Sequence, residues 1–164
     1  QLNFMLQNAF QVEELLQTNN KGSRAQVGYD LTLKSIKKVS GGVVMQDKTS
    51  VADYSEVNPS VNADGKFIFK LEPGTYSLTF EQGCKLPNNM TAFIRHRSSM
   101  LRCGAIITSG VYDPGFEVEE MGAILFASEK IFIEKGARVA QIIMMENNTA
   151  ELYDGQWQGA KDVK

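Results

Sequence analysis

Apolar residues at positions 4, 5, 6, 9, 10, 12, 15 and 16 keep close to a helical period, with Glu13 and Glu14 facing outward. The spacing predicts an N-terminal helix over residues 4–16, stopped by a polar stretch at 18–23. From Gln26 onward the period shortens. Residues 26–33 alternate in part, and 43–45 start a short strand after Gly41-Gly42. Residues 67–71 and 76–80 flank a Pro73-Gly74 turn, and 91–94 follow a turn at 86–89. Residues 122–126, 131–133 and 138–145 continue the series, the last two joined by a Lys135-Gly136 turn. Residues 47–65 are polar, broken by Asn58-Pro59 and Asp64-Gly65, and read as a long surface loop or irregular arm. Many short strands with Gly and Pro between them predict an all-β sandwich or barrel, with one further short helix at 98–102.

The 164 residues suit one domain, divided into an N-terminal helix and linker (1–22), a β core (23–146) and a C-terminal closing tail (147–164). A net charge of −2 carries no global basic footprint, so no polymeric nucleic acid is expected as a partner. No apolar run reaches the roughly 20 residues of a membrane span, and no membrane association is expected. Cys84 and Cys103 lie in separate segments and are expected to be free thiols, which fits a cytoplasmic location, or the host cytoplasm if the chain is virally encoded. With a single His96 and no Cys-x-x-Cys pair, the ligand set of a zinc-dependent base deaminase is missing. His96 itself reads as structural or as a phosphate neighbour.

Chemistry concentrates between Arg95 and Phe116. Arg95, Arg97, Ser98, Ser99 and Arg102 offer guanidinium forks and hydroxyls suited to phosphate oxygens. The next segment reads as a hairpin turning on Gly110, with Asp113 on its return strand before a Pro114-Gly115 corner. The alternative reading, an ordinary N-cap followed by an ordinary turn, stands beside it on this stretch alone. The segment 153–159 carries the only tryptophan and is expected to dock, with Tyr153 and Trp157 offering faces for stacking.

Four separated pieces decide between these readings. Gly28-Tyr29-Asp30-Leu31, Arg97-Ser98-Ser99-Met100-Leu101-Arg102-Cys103-Gly104, Gly110-Val111-Tyr112-Asp113-Pro114-Gly115-Phe116 and Gly136-Ala137-Arg138-Val139-Ala140-Gln141 resemble, in order, motifs one to four of the trimeric dUTPase and dCTP deaminase superfamily. The tail 153–159 is similar to the fifth motif in its archaeal and deaminase-like form, so the match runs roughly from Gln26 to Gly159. The resemblance implies a distorted, jelly-roll-like β-barrel of the dUTPase type, a homotrimer, and sites built from more than one subunit. It also implies a deoxypyrimidine triphosphate such as dUTP, carrying Mg²⁺ held largely by phosphate oxygens and water.

The two branches of that superfamily differ in chemistry. The deaminase needs a glutamate on the strand after the third motif, and residues 121–127 contain no carboxylate. Glu117, Glu119 and Glu120 precede that strand, in an expanded turn, as a solvated acidic edge unless the turn folds back towards the base. Gln156 and Ala160 stand where the deaminase branch favours a lysine and a glutamine. The expected activity is hydrolysis of dUTP to dUMP and pyrophosphate. A metal-independent dCTP deaminase, a bifunctional deaminase and dUTPase, and a nucleotide-sensing regulatory module are the alternatives.

On this reading Asp113 activates water, and Arg97, Ser98, Ser99, Arg102 and Gln141 hold the phosphates. Backbone groups of Ser109, Gly110, Val111 and Tyr112 read the base, and Phe116 packs under the sugar. Tyr153, Gln156 and Trp157 close over the nucleotide. Asp30 would act on the metal indirectly, through water.

Overall fold

Six antiparallel strands pair edge to edge and close on themselves in the computed structural model, which describes residues 5–147, 152–155 and 157–159. They are β1 (Tyr29–Lys38), β2 (Gly74–Phe80), β3 (Met90–His96), β4 (Ala105–Thr108), β5 (Gly122–Ala127) and β6 (Arg138–Glu146). Their spatial order is β6-β3-β4-β5-β2-β1, and β1 pairs back onto β6. The all-β barrel expected from the strand pattern is therefore present.

Alternation sends one residue in two inward. Leu31, Leu78, Phe80, Ala92, Ile94, Ile107, Leu125, Ala140, Ile142 and Met144 are fully buried. Small and large residues face each other across the ladders, Ala92 opposite Met144 and Ala123 opposite Leu78, a pairing that suits a narrow barrel. Burying each of the larger side chains contributes about 1.5–3 kcal/mol, which makes this interior the main source of stability.

Three elements differ from the sequence expectation. The N-terminal helix is α1, Ala9–Glu14, much shorter than 4–16. Asn8 caps it through the N–H groups of Phe10 and Gln11, and Gln11 returns a bond to Asn8. Before the cap, Leu6 bridges Met145 and Gln7 N–H donates to Met144. Apolar residues that count towards a helical period thus lie along β6 instead. Strand β1 runs on to Lys38, past the expected end at Leu33. A register shift between Leu33 and Ser35 reverses which parity points inward, so Ile36 is buried although the alternation has broken. The 47–65 stretch is not irregular throughout. Thr49–Val51 pairs with Gly42–Val44, Ser55–Val57 joins β1, and Ser60–Val61 pairs with Phe67–Leu71.

A second short helix, α2 (Ser98–Arg102), links β3 to β4 and is anchored by the buried Met100. Both cysteines are free, Cys84 buried and Cys103 exposed.

Candidate active site

The segment after β4 does not turn back as a hairpin. Arg95 pairs with Thr108, and further along β3 Ala92 pairs with Tyr112. The chain therefore continues along β3, with Ser109, Gly110 and Val111 set against Phe93 and Ile94 as a bulge. The bulge takes away a ladder acceptor from β3, and Ser109 replaces it: Ile94 N–H donates to Ser109 Oγ at 3.0 Å. Ser109 Oγ donates in turn to the Gly110 carbonyl. Gly110 has open space where a Cβ would stand, so the fold leaves room for a ligand at that point. Tyr112 offers its ring rather than its backbone, because its N–H and C=O both bond Ala92, at 2.9 and 3.0 Å.

Beyond the bulge, Phe116 N–H donates to the Asp113 carbonyl and closes a turn around Pro114-Gly115. Gly115 lies at φ +83, which a type II turn demands at its third residue and which a side chain would resist. Asp113 is exposed on that turn, and no donor among the described residues engages its carboxylate.

These residues wall a cleft of about 250 Å³. Ser109, Gly110, Val111, Tyr112, Asp113 and Phe116 come from the bulge and turn, Gly122, Ala123 and Ile124 from β5, and Tyr153 and Trp157 from the tail. Its floor is aromatic. Phe116 sits 5.1 Å from the Tyr112 ring and 5.1 Å from the Tyr153 ring, edge-on to the latter. Tyr112 Oη donates to the Gly122 carbonyl at 2.7 Å and accepts from Gly122 N–H at 3.1 Å, tying the bulge to the start of β5. Burial raises the Tyr112 phenol well above its ordinary range, the bond to the Gly122 carbonyl offsetting part of the rise. It stays neutral and structural.

The tail docks on the turn. Tyr153 N–H donates to the Pro114 carbonyl and Gly159 N–H to the Glu117 carbonyl. Gln158 grips both sides, donating to the Gly115 carbonyl at 3.1 Å and accepting from Glu117 N–H at 3.0 Å. Trp157 N–H donates to Tyr153 Oη, which fixes the indole at the cleft wall. Gln156 lies outside the described residues.

The remaining expected residues gather elsewhere. Asp30 is buried on β1, and its Oδ2 takes Arg97 Nε at 3.1 Å and Arg138 at 3.5 Å. Arg138 also donates to Ser23 Oγ at 2.8 Å. Asp30, Gln141 and Arg95 stand opposite one another across β1, β6 and β3, and Gln141 Oε1 accepts from Gly28 N–H. Ser98, Ser99 and Arg102 are exposed on α2. None of these residues lines the Asp113 cleft. The expected residues thus fall into two separate groups, a guanidinium and hydroxyl face on one side and an aromatic cleft at Asp113 on the other.

Comparison with known proteins places this architecture. The family model described as dCTP deaminase-like matches residues 5–147. The chain belongs to the dCTP deaminase-like family. Among the members to which this dCTP deaminase-like chain is similar is a deoxyuridine 5'-triphosphate nucleotidohydrolase of Methanocaldococcus jannaschii, 33% identical over 138 residues, covering 82% of this chain and 86% of that one. Another, named as a probable deoxyuridine 5'-triphosphate nucleotidohydrolase, is from Halobacterium salinarum, 30% identical over 133 residues and 80% of each chain. In fold, the chain matches a 2'-deoxycytidine 5'-triphosphate deaminase from Agrobacterium tumefaciens with a TM-score of 0.65 at 14% identity, over 89% of this chain and 49% of that chain.

Three features of this family member escaped the sequence. Arg138 holds Asp30 beside Arg97, a role hidden because 108 residues separate Arg138 from Asp30. Gln158 latches the tail, and only its place beside Trp157 hinted at it. Glu120 is no solvated edge residue: it lines the cleft and pairs with Lys34 of β1. Glu117 and Glu119 do remain exposed. His96 is structural, its Nδ1 accepting from Ile107 N–H.

Among the described residues no group of three or more His, Cys, Asp or Glu side chains could hold a metal. Asp30 Oδ1 is buried with no hydrogen-bond partner among the described residues, and such an atom fits a bridging water.

Proposed function

We propose that the protein hydrolyses dUTP to dUMP and pyrophosphate, with Asp113 as the base that activates water. The observation that carries this reading is the exposed Asp113 carboxylate at the wall of an aromatic cleft sized for a pyrimidine nucleoside, in a chain whose relatives are named as dUTP nucleotidohydrolases. Asp113 takes a proton as the water oxygen bonds to the α-phosphorus. The bridging oxygen towards the β-phosphorus departs with pyrophosphate. Proton transfer of this kind contributes roughly 10²–10⁴-fold.

Arg97, Ser98, Ser99 and Arg102 hold the triphosphate, with Gln141 adding an amide contact. Mg²⁺, when bound, would neutralise charge on the phosphates, and Asp30 Oδ1 would be the acceptor the chain offers to water carried by the ion. Because the phosphate face and the cleft lie apart in one chain, the complete site combines copies. A homotrimer with closed symmetry joins every cleft to a neighbour's arginines. The exposed Leu101, Ile106 and Phe126 supply an apolar surface for such contacts. A cytoplasmic location accords with two free thiols.

The test is product analysis with Mg²⁺ on dUTP, dCTP, dTTP and UTP. Pyrophosphate from dUTP well above the others supports the reading, whereas ammonia from dCTP with intact triphosphate assigns a deaminase. Two variants probe the cleft. Phe116→Ala removes the ring between Tyr112 and Tyr153, so the kcat/KM preference for dUTP over UTP should narrow, read by parallel steady-state assays. Truncation before Tyr153 removes the Trp157 face. Base stacking is worth about 1–3 kcal/mol, so kcat/KM should fall about 5- to 150-fold while the barrel stays folded.

A further inference from the structure

The cleft's polar side chains are already largely committed to the fold. Ser109 Oγ serves Ile94 and Gly110, Tyr112 Oη serves Gly122, and Tyr153 Oη serves Trp157. Asp113 belongs to the reacting water. Glu120 is then the acidic acceptor left on the wall where a pyrimidine ring would lie, before the start of β5. Lys34 engages its Oε1, fixing the side chain from β1, two strands over from β5, and balancing its charge. The Tyr112–Gly122 bonds hold the two ends of the 113–121 loop together, so Asp113 and Glu120 face one cleft from its opposite arms.

We infer that Glu120, positioned by Lys34, is a specificity-determining residue that accepts a hydrogen bond from an N–H on the pairing edge of the bound pyrimidine. This rests on the nucleotide reading of the cleft. A carboxylate rejects a ring edge that offers it only lone pairs, because the acceptor would be desolvated without a donor. Two donors share the required chemistry, the N3–H of a uracil ring and the 4-amino group of a cytosine ring.

The experiment uses the full chain and measures kcat/KM for dUTP and for N3-methyl-dUTP, with dCTP as a competitive inhibitor. Wild type, Glu120→Ala and Glu120→Gln are compared. If N3–H is read, wild type prefers dUTP over the methylated analogue by about tenfold or more. Glu120→Ala loses most of that preference, and Glu120→Gln, which keeps an acceptor oxygen, retains more of it. If the 4-amino group is read, the dCTP inhibition constant weakens by a similar factor in Glu120→Ala while the N3-methyl preference is unmoved. Either pattern supports the assignment. A Glu120→Ala protein that is folded, keeps the wild-type dUTP preference over N3-methyl-dUTP and keeps the wild-type dCTP inhibition constant overturns it. Loss of the partly exposed Lys34 pair costs little stability, so folding is expected to survive. Failure of wild type to turn over dUTP at all would instead count against the proposed function, not against Glu120 alone.

Discussion

Asp113→Asn is expected to lower kcat on dUTP by roughly 10²–10⁴-fold while nucleotide affinity changes little. Asparagine keeps the size and turn preference of aspartate, so the turn closed by Phe116 N–H on residue 113's carbonyl survives. What disappears is the ability to take a proton. Because the side chain is exposed and no described residue donates to it, its removal leaves no buried group unpaired. Stability should therefore stay within about 0.5 kcal/mol. Pyrophosphate release under saturating dUTP, read beside equilibrium binding of a non-hydrolysable analogue, separates the two effects. Near-normal kcat would remove Asp113 from the mechanism.

Arg97→Ala should act on fold and function together. Asp30 is 3% exposed, and Arg97 is the nearer of the two guanidiniums on its Oδ2. Removing one partner of a buried ion pair typically costs about 3–5 kcal/mol, and the low end applies because Arg138 remains. For a chain of this size that lowers Tm by about 6–12 °C. The double variant Asp30→Asn, Arg97→Ala should recover part of the loss, since the unpaired charge is gone. Neither variant should bind the triphosphate normally, because the fork that faces it is missing. A single-variant Tm within about 2 °C of wild type would mean that the pair contributes little to the barrel.

Most of the barrel was legible in the sequence because alternation of apolar and polar residues is a local signal. Strands β2, β3, β5 and β6 could be placed from it almost to their ends. The signal failed where the ladder itself is irregular. On β1 the shift after Leu33 breaks the alternation, and the bulge at Ser109, Gly110 and Val111 resembles a turn because glycine and serine serve both. Helix α1 was overestimated because Met5 and Leu6 share the helical period, yet they follow the edge of β6, and Asn8 sets the start.

The site was legible as motifs rather than as an assembly. Asp113, Phe116, Tyr153 and Trp157 do meet in one cleft, while Arg97, Gln141 and Asp30 gather at another place. No pattern along the chain announces that separation, since it depends on α2 and the bulge lying at opposite ends of β4. Glu120 was obscured by its acidic neighbours. Its partner Lys34 lies 86 positions away, and only the fold brings them together.

The most direct measurement is turnover of dUTP in ¹⁸O-labelled water with Mg²⁺, with mass analysis of both products. Water activated by Asp113 and directed at the α-phosphorus puts one labelled oxygen into dUMP and none into pyrophosphate, with no ammonia released. Label in the pyrophosphate, or ammonia from a pyrimidine triphosphate that keeps its phosphates, would contradict the account.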